Sequence, residues 1–461
     1  MKSKRELLLN GNINSLLFKF SAPAIIGMVT GALYNITDTI FVGKGVGPLA
    51  IAALLIVLPI QLIIMGIGTM IGVGSSSIVS RALGRNKKDV AQSAFGNAFI
   101  LNLIISAFYM VIIYAFMDKF LIFFGASTQV LPYAREYAYI TLIGFVFLSF
   151  SISSNNYIRA EGNPRAAMYV MAIGTVLNII LDPIFIFVLG MGVKGAAIAT
   201  VISQVVSSIY VIFYIIFGGS VFKLKLSVFK TKFSIMKEIL FLGFPSFISS
   251  AMASIIILIF NRLLLFYGGD LYIAIMGIGL RMLSLIQMPL LGITQGFSTI
   301  VSFNYGAKLY HRVKKVLGIA VAWTVAIAGA GFLVMMIFPA FVISFFSNDG
   351  NLINEGVNIL RIVIMFLPFI GVQMLGGGFF QAIGKAAPAV ILTISRQVLF
   401  LIPAVFLLPL IFGLNGVWLS VPVSDFLSIT ITAGWMIREI KNFNKAAVPQ
   451  AGLLTKNSYV D

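Results

Sequence analysis

The sequence contains no cysteine, and this absence excludes disulfide bonds, thiolate metal sites and cysteine nucleophiles. A single histidine, His311, leaves no basis for a histidine-rich metal centre. Charged residues make up only 10% of the 461 positions, whereas an average soluble domain has about 25%. Because 60% of the residues are apolar, this scarcity of charge excludes a soluble protein.

The apolar residues are grouped in long runs. A membrane-spanning helix needs about 20 mostly apolar residues, and the chain has enough of them for about twelve such helices. The N-terminal run lacks the small-residue cleavage site of a signal peptide, so we interpret it as the first helix. The predicted fold class is an all-α polytopic membrane protein with twelve transmembrane helices. The predicted helices lie near residues 15–41, 49–78, 91–116, 133–156, 166–189, 194–217, 238–266, 271–301, 314–338, 355–381, 387–411 and 416–438.

Positive charge is distributed unevenly between alternate connections. Most of the 32 Lys and Arg residues lie at the termini or after even-numbered helices, and the opposite side has Lys44, Lys119, Arg135 and Lys194. By the positive-inside rule, both termini are predicted to be cytoplasmic. Topology thus explains the net charge of +18, and no nucleic-acid partner is predicted.

The second half of the chain repeats the first at an offset near 222 residues. Pro23 corresponds to Pro245, and GVGSSSIVSRALG (72–84) corresponds to TQGFSTIVSFNYG (294–306). Since each repeat has an even number of helices, the two halves have the same orientation in the membrane. The chain is therefore predicted to form two six-helix bundles by internal duplication.

This duplication predicts the domain organisation. An N-terminal lobe covers 1–217, and a C-terminal lobe covers 238–440. A cytoplasmic linker at 218–237 joins them, and a cytoplasmic tail follows at 441–461. A pair of bundles related in this way leaves a cleft between them.

Asp38 and Asp182 lie inside apolar runs of the N-terminal lobe. An ionised carboxylate there costs several kcal/mol unless it is paired or hydrated, so a function is the first hypothesis. Asp38 follows Tyr34, and Asp182 follows Asn178, by four residues, so each pair shares a helix face. Helix rise places Asp38, Asp182 and Thr200 in the outer half of the lobe.

Two carboxylates, an amide and a hydroxyl form an oxygen-rich site for a hard cation such as Na⁺. Two close carboxylates can instead share a proton. The alternative is that Asp38 and Asp182 only form hydrogen bonds with neighbouring helices.

Three further residues stand out within predicted helices. Pro23 breaks a backbone hydrogen bond and is either a moving hinge or a static kink. Arg396 and Asp425 lie at similar depth, and a structural ion pair is favoured over a second coupling site. Arg281 can pair with Asp425 or repel a cationic cargo, and the sequence does not choose between these roles.

Several segments together resemble the multidrug and toxic compound extrusion (MATE) transporters, particularly the prokaryotic members. They are APAIIGMVTGALYNITDTIFVG (22–43), RAEGNP (159–164), LNIILDP (177–183) and GVKGAAIAT (192–200), and the resemblance covers about residues 15–440.

The resemblance implies a secondary antiporter in a prokaryotic plasma membrane. Two lobes in a V would export organic, mainly cationic drugs by alternating access, in exchange for Na⁺ or H⁺. It also implies a monomer among membrane lipids with no cofactor besides the coupling ion, and it is not expected to be an enzyme. In the family, the cation site matches Asp38, Asn178, Asp182 and Thr200 here, and Tyr34 and Asn35 are expected to support it.

One departure from the family pattern concerns the C-terminal lobe. Some members carry cation-binding carboxylates on helices 7 and 10, but residues 239–266 and 356–381 contain no Asp or Glu. A C-terminal cation site of that kind is therefore not expected.

Two other functions are alternatives to antiport. A flippase for lipid-linked oligosaccharides, from the same superfamily, would be expected to have a cationic cleft, and Asp38 and Asp182 argue against it. An intramembrane aspartyl protease would also use two carboxylates, but the Gly-x-Gly-Asp pattern of such enzymes is missing.

Overall fold

The structure is a computed structural model that describes residues 2–223, 230–346 and 349–454. These residues form helices, and no β-strand occurs among them. Eleven of the described helices are long and apolar enough to cross a membrane, and a bent pair makes a twelfth span. The predicted all-α polytopic fold is therefore confirmed. We label the spans α1 (Ile13–Gly45), α2 (Leu49–Gly84), α3 (Lys88–Phe123), α4 (Leu131–Ala160), α5 (Pro164–Val188), α6 (Gly192–Phe217), α7 (Phe233–Tyr267), α8 (Asp270–Gly306), α9 (Tyr310–Ile337), α10 (Gly350–Val363 and Leu367–Ala382), α11 (Ala386–Phe412) and α12 (Leu414–Phe443).

The tenth span differs from its prediction. We expected one continuous helix over 355–381, but the two pieces of α10 meet at an angle of 44°. A 3₁₀ turn, Leu367–Phe369, follows the break and contains Pro368. Proline has no N–H to donate and clashes with the preceding turn, so it disfavours a straight α-helix at this point.

Equivalent hydrogen bonds and turns in the two halves support the internal duplication. Ser80 Oγ donates to the Ala160 carbonyl at 3.2 Å, and Ser302 Oγ donates to the Ala382 carbonyl at 2.9 Å. Both residues of the second hydrogen bond lie 222 positions after those of the first. Positive φ angles also recur at the ends of corresponding helices, in the pairs Gly47 and Gly269, Asn86 and Lys308, Gly162 and Gly384, and Gly192 and Gly413.

The chain divides into two compact units. The N-terminal unit contains residues 1–7 and 18–254, and the C-terminal unit contains 8–17 and the chain from 255 onward. The predicted lobe, linker and tail boundaries remain predictions.

The first half of α7 packs within the N-terminal unit because two glycines allow close approach. A Cβ atom added at Gly74 of α2 would lie 1.9 Å from the Ile239 carbonyl oxygen. One added at Gly243 of α7 would lie 1.8 Å from the Met70 carbonyl oxygen. Any larger residue at either position would force the two helices apart.

The beginning of the predicted linker is also anchored to this unit. Phe222 is buried, and its ring stacks on Phe95 with centroids 4.7 Å apart. The Gln92 side chain accepts from the Lys223 N–H and donates to the Lys223 carbonyl. These contacts fix the chain where it leaves α6.

Candidate cation-binding site

The predicted ligands lie on α1, α5 and α6, and α1 packs closely along α5. A Cβ atom added at Gly27 would lie 3.1 Å from Met171 Sδ, and one added at Gly45 would lie 2.3 Å from Ile186 Cγ2. Phe41 of α1 meets Phe187 of α5 edge to face at 6.1 Å. Asp38 lies between these contacts, so α5 fixes the segment that carries it.

The end of α5 has a local irregularity beside the second carboxylate. Pro183 follows Asp182, and residues Ile184–Val188 form a π-helical turn. Because proline cannot donate a hydrogen bond, the regular α-helical pattern is interrupted there. Gly195 of α6 lies against this turn, since an added Cβ would be 2.8 Å from the Phe185 carbonyl oxygen. The close approach brings the first turns of α6 to the end of α5.

All four predicted ligands are buried, with exposures of 6% for Asp38, 2% for Asn178, 0% for Asp182 and 5% for Thr200. Asn178 Nδ2 donates to Asp182 Oδ1 at 3.2 Å. The carboxyl groups of Asp38 and Asp182 lie within hydrogen-bonding reach of each other. The structure therefore brings together two carboxylates that are distant in sequence.

Tyr137 of α4 connects Thr200 to these carboxylates. Its hydroxyl lies beside the side chains of Thr200 and Gln61, and Asp38 and Asp182 lie in its electrostatic neighbourhood. Tyr137 is itself only 3% exposed. The phenol is thus part of the same buried polar cluster.

Each predicted ligand has a buried oxygen with unused hydrogen-bonding capacity. Asp38 Oδ1, Asn178 Oδ1, Asp182 Oδ2 and Thr200 Oγ1 are all buried without a well-formed hydrogen bond. A buried polar atom in this state costs about 1–3 kcal/mol. These four atoms would coordinate Na⁺ through oxygen alone, the chemistry that hard cations prefer. A proton on one carboxyl would instead give the pair a shared hydrogen bond.

The charged groups of the site are the two carboxylates of Asp38 and Asp182. Among the described residues, no group of three or more His, Asp or Glu side chains is placed to hold a metal ion.

The remaining predicted residues are placed as follows. The side chains of Tyr34 and Asn35 lie outside the described residues. Pro23 lies inside α1, which continues through it as a helix. Arg396 Nε donates to Asp425 Oδ1 at 2.6 Å, whereas Arg281 is exposed on α8.

Sequence reasoning missed Tyr137 and Gln61. Both are uncharged and lie in predicted spans, where isolated polar residues are common and do not stand out from the hydropathy pattern. The available signal was their position inside apolar runs, which does not tell which neighbour they face.

Comparison with known proteins gives consistent results. The MatE family model matches residues 23–184 and 245–407, one match in each half of the chain. The multidrug export protein MepA of Staphylococcus saprophyticus is 28% identical over 411 residues, covering 89% of this chain and 90% of that protein. A MepA from Staphylococcus aureus is 29% identical over 417 residues, with coverage of 89% and 90%.

Solved structures of the same kind also match along nearly the whole chain. A crystal structure of MATE in the bent conformation has a TM-score of 0.91 at 28% identity, covering 96% of this chain and 99% of that one. An outward-facing multidrug resistance MATE family transporter has a TM-score of 0.88 at 28% identity, with coverage of 95% and 98%.

Proposed function

Because this chain belongs to the MatE family of membrane transporters, we propose that it is a multidrug efflux antiporter. It exports organic, mainly cationic compounds across a bacterial plasma membrane in exchange for Na⁺ or H⁺. Both termini lie in the cytoplasm, and the protein works as a monomer with no cofactor besides the coupling ion. The multidrug export function of its MepA relatives supports the export of several different drugs.

The observation that carries the proposal is the set of four buried oxygens on Asp38, Asn178, Asp182 and Thr200. They come from three helices, so a bound cation would draw these helices together. Two adjacent carboxylates repel each other when both are ionised. A cation or a proton removes this repulsion, and α1 can then move closer to α5 and α6.

The proposal is tested with purified protein in vesicles. Uptake of ethidium, a fluorescent organic cation, is measured while a Na⁺ gradient and a pH gradient are imposed separately. We expect one gradient to drive ethidium against its own gradient, and that gradient identifies the coupling ion. Ethidium movement that neither gradient accelerates would contradict antiport.

Thr200→Ala should weaken the site only mildly. The substitution removes one neutral oxygen, which is worth about 1 kcal/mol, and a water molecule can take its place. We expect the half-saturating concentration of the coupling cation to rise about fivefold while maximal efflux is kept. Thr430→Ala removes an exposed hydroxyl from α12 and serves as the control. Complete loss of efflux in Thr200→Ala would mean that Thr200 does more than coordinate.

Cargo and coupling cation should weaken each other's binding. A ligand shifts a conformational equilibrium only by its differential affinity for the two states, and the coupling between two ligands is reciprocal. Calorimetric titration of ethidium, with and without saturating Na⁺ and at two pH values, measures this coupling. We expect a loss of affinity of about fivefold or more when the coupling cation is bound. Equal affinity under all conditions would contradict thermodynamic competition.

Pro23→Ala tests whether α1 bends during transport. Alanine restores the missing backbone hydrogen bond, and its free energy in a regular helix is about 3 kcal/mol more favourable than that of proline. We expect turnover to fall several-fold while the ethidium dissociation constant is unchanged. Pro59→Ala, at another proline inside a helix of the same unit, is the control. Unchanged turnover in Pro23→Ala would identify Pro23 as a static kink.

A further inference from the structure

We infer that the coupling cation follows a polar seam between α4 and α6. The seam leads from the site formed by Asp38 and Asp182, in the outer half of the N-terminal lobe, to the opposite face of the membrane. This inference rests on the proposed antiport function and adds a route to it. The α4–α6 seam consists of Thr200, Gln204 and Ser208 on α6, with Tyr137, Ser151 and Glu161 on or just after α4. The two helices pack together along this line, and polar groups meet at four successive levels.

The first two levels adjoin the cation site. Tyr137 lies beside Thr200, as described above. One turn further along α6, the Gln204 amide faces Gly144 of α4, where an added Cβ would lie 2.1 Å from Gln204 Oε1. That oxygen is buried without a hydrogen-bond partner. Because Gly144 has no side chain, Gln204 Oε1 has room to lie against α4.

The third level is a pair of serines. Ser151 Oγ and Ser208 Oγ are hydrogen bonded at 3.1 Å, and both side chains are buried. Ser208 Oγ also lies 3.1 Å from the Phe147 carbonyl oxygen, which accepts from it. Hydroxyl groups with such alternative partners can turn towards a passing cation without leaving an unsatisfied atom behind.

The fourth level is a buried carboxylate at the far end. Glu161 is 2% exposed and accepts from the Tyr214 hydroxyl, from Ser220 Oγ at 2.8 Å and from the Val221 N–H at 2.8 Å. Among the described residues of the N-terminal unit, the buried acids are Asp38, Asp182 and Glu161. They lie at the two ends of the seam. A buried arginine, Arg159, precedes Glu161 by two residues on α4, and its guanidinium donates to Asn155 Oδ1 near the Glu161 end.

The seam extends over most of the thickness of the hydrocarbon core of a bilayer. Thr200 and Tyr214 are 14 residues apart on α6, which corresponds to about 21 Å along the helix. The hydrocarbon core of a bilayer is about 30 Å thick. Conduction requires sites that bind strongly enough for entry and weakly enough for release. The neutral oxygens of Thr200, Gln204 and Ser208 would supply such sites along α6.

The corresponding region of the C-terminal unit does not offer such a route. Asp425 of α12 aligns with Gln204 at an offset of 221. Its carboxylate forms an ion pair with the Arg396 guanidinium, with Nε 2.6 Å from Oδ1. This guanidinium places a fixed positive charge at the level that Gln204 occupies in the N-terminal unit, where it would repel a passing cation. Further along α12, the Thr432 methyl group fills the space beside Gly376 of α10, 2.1 Å from an added Cβ. The duplication therefore supplies an internal control.

Because the chain has no cysteine, single cysteines can test the route without a background reaction. Ser208→Cys is compared with Ser428→Cys, which occupies the level of Ser207 on α12 and is equally buried. Two kinds of vesicle are prepared, with the termini of the protein facing either inward or outward. Both are exposed to Ag⁺ in nitrate buffer during ethidium transport. Cysteines that remain free are then labelled with a fluorescent maleimide after denaturation.

We expect Ag⁺ to react with Ser208→Cys about tenfold faster than with Ser428→Cys, and from the face that carries the termini. Equal rates for the two variants, or reaction of Ser208→Cys only from the opposite face, would overturn the route.

Transport measurements separate failure of the route from failure of the proposed function. Ser208→Val fills the seam with methyl groups, and we expect ethidium efflux to fall about tenfold while Na⁺ or proton binding by calorimetry is unchanged. Ser208→Ala leaves room for water and should retain most of the efflux, and Ser428→Val is the matched control. Normal efflux in Ser208→Val overturns the route alone. Full coupled efflux in Asp38→Asn overturns the cation site, whatever the seam variants do.

Discussion

Replacing Asp38 or Asp182 by asparagine will abolish ion-driven efflux while the protein still inserts and folds. Asparagine keeps the side-chain volume and removes the charge that holds the coupling cation. At about 4 Å and an effective dielectric constant near 20, the lost attraction is about 4 kcal/mol, which corresponds to about a thousandfold in affinity. The measurement is ethidium efflux under the imposed Na⁺ or pH gradient.

Folding should tolerate these two substitutions. Both carboxylates are buried next to each other, so removing one negative charge also removes a repulsion. Asp118→Asn is the matched control, because Asp118 is about half exposed and pairs with Arg135 at 2.8 Å. Thermal unfolding and membrane content should be normal in all three variants. Full ion-coupled transport by Asp38→Asn or Asp182→Asn would contradict the assignment of the site.

Breaking the Arg396 and Asp425 ion pair will destabilise the C-terminal unit. Arg396 Nε lies 2.6 Å from Asp425 Oδ1, and the Asp425 side chain is only 5% exposed. Removing one partner leaves the other charge buried, which costs about 3 kcal/mol. The double substitution Arg396→Met with Asp425→Leu should recover most of this loss, because a buried pair and a well-packed apolar pair are often similar in stability.

A double-mutant cycle by thermal unfolding in detergent measures this coupling. The exposed pair of Arg135 and Asp118 is the control, and its coupling should not exceed about 1 kcal/mol. If the losses from Arg396→Met and Asp425→Leu simply add, the two side chains do not stabilise each other. Retained efflux in the double variant would further support a structural rather than a coupling role.

Local sequence properties predicted the membrane spans closely. Hydropathy depends on each run of residues alone, and α6, for example, was predicted at 194–217 and is found at Gly192–Phe217. Pro368 marked the break in α10, but apolar residues on both sides of it favoured a continuous helix. Hydropathy reports that a segment can lie in lipid and does not report its bends.

The sequence by itself determined which groups are candidates for binding a cation, because carboxylates such as Asp38 and Asp182 are rare and costly in a membrane and therefore stand out. It did not determine which neighbours these groups meet. Only the tertiary structure placed Tyr137 beside Thr200, paired Asp425 with Arg396 rather than Arg281, and aligned Ser151 with Ser208. Serine and threonine hydroxyls can form a hydrogen bond with a carbonyl of their own helix, so their sequence pattern does not indicate a partner. Their partners follow from helix packing, which depends on close approaches such as those at Gly144 and Gly195.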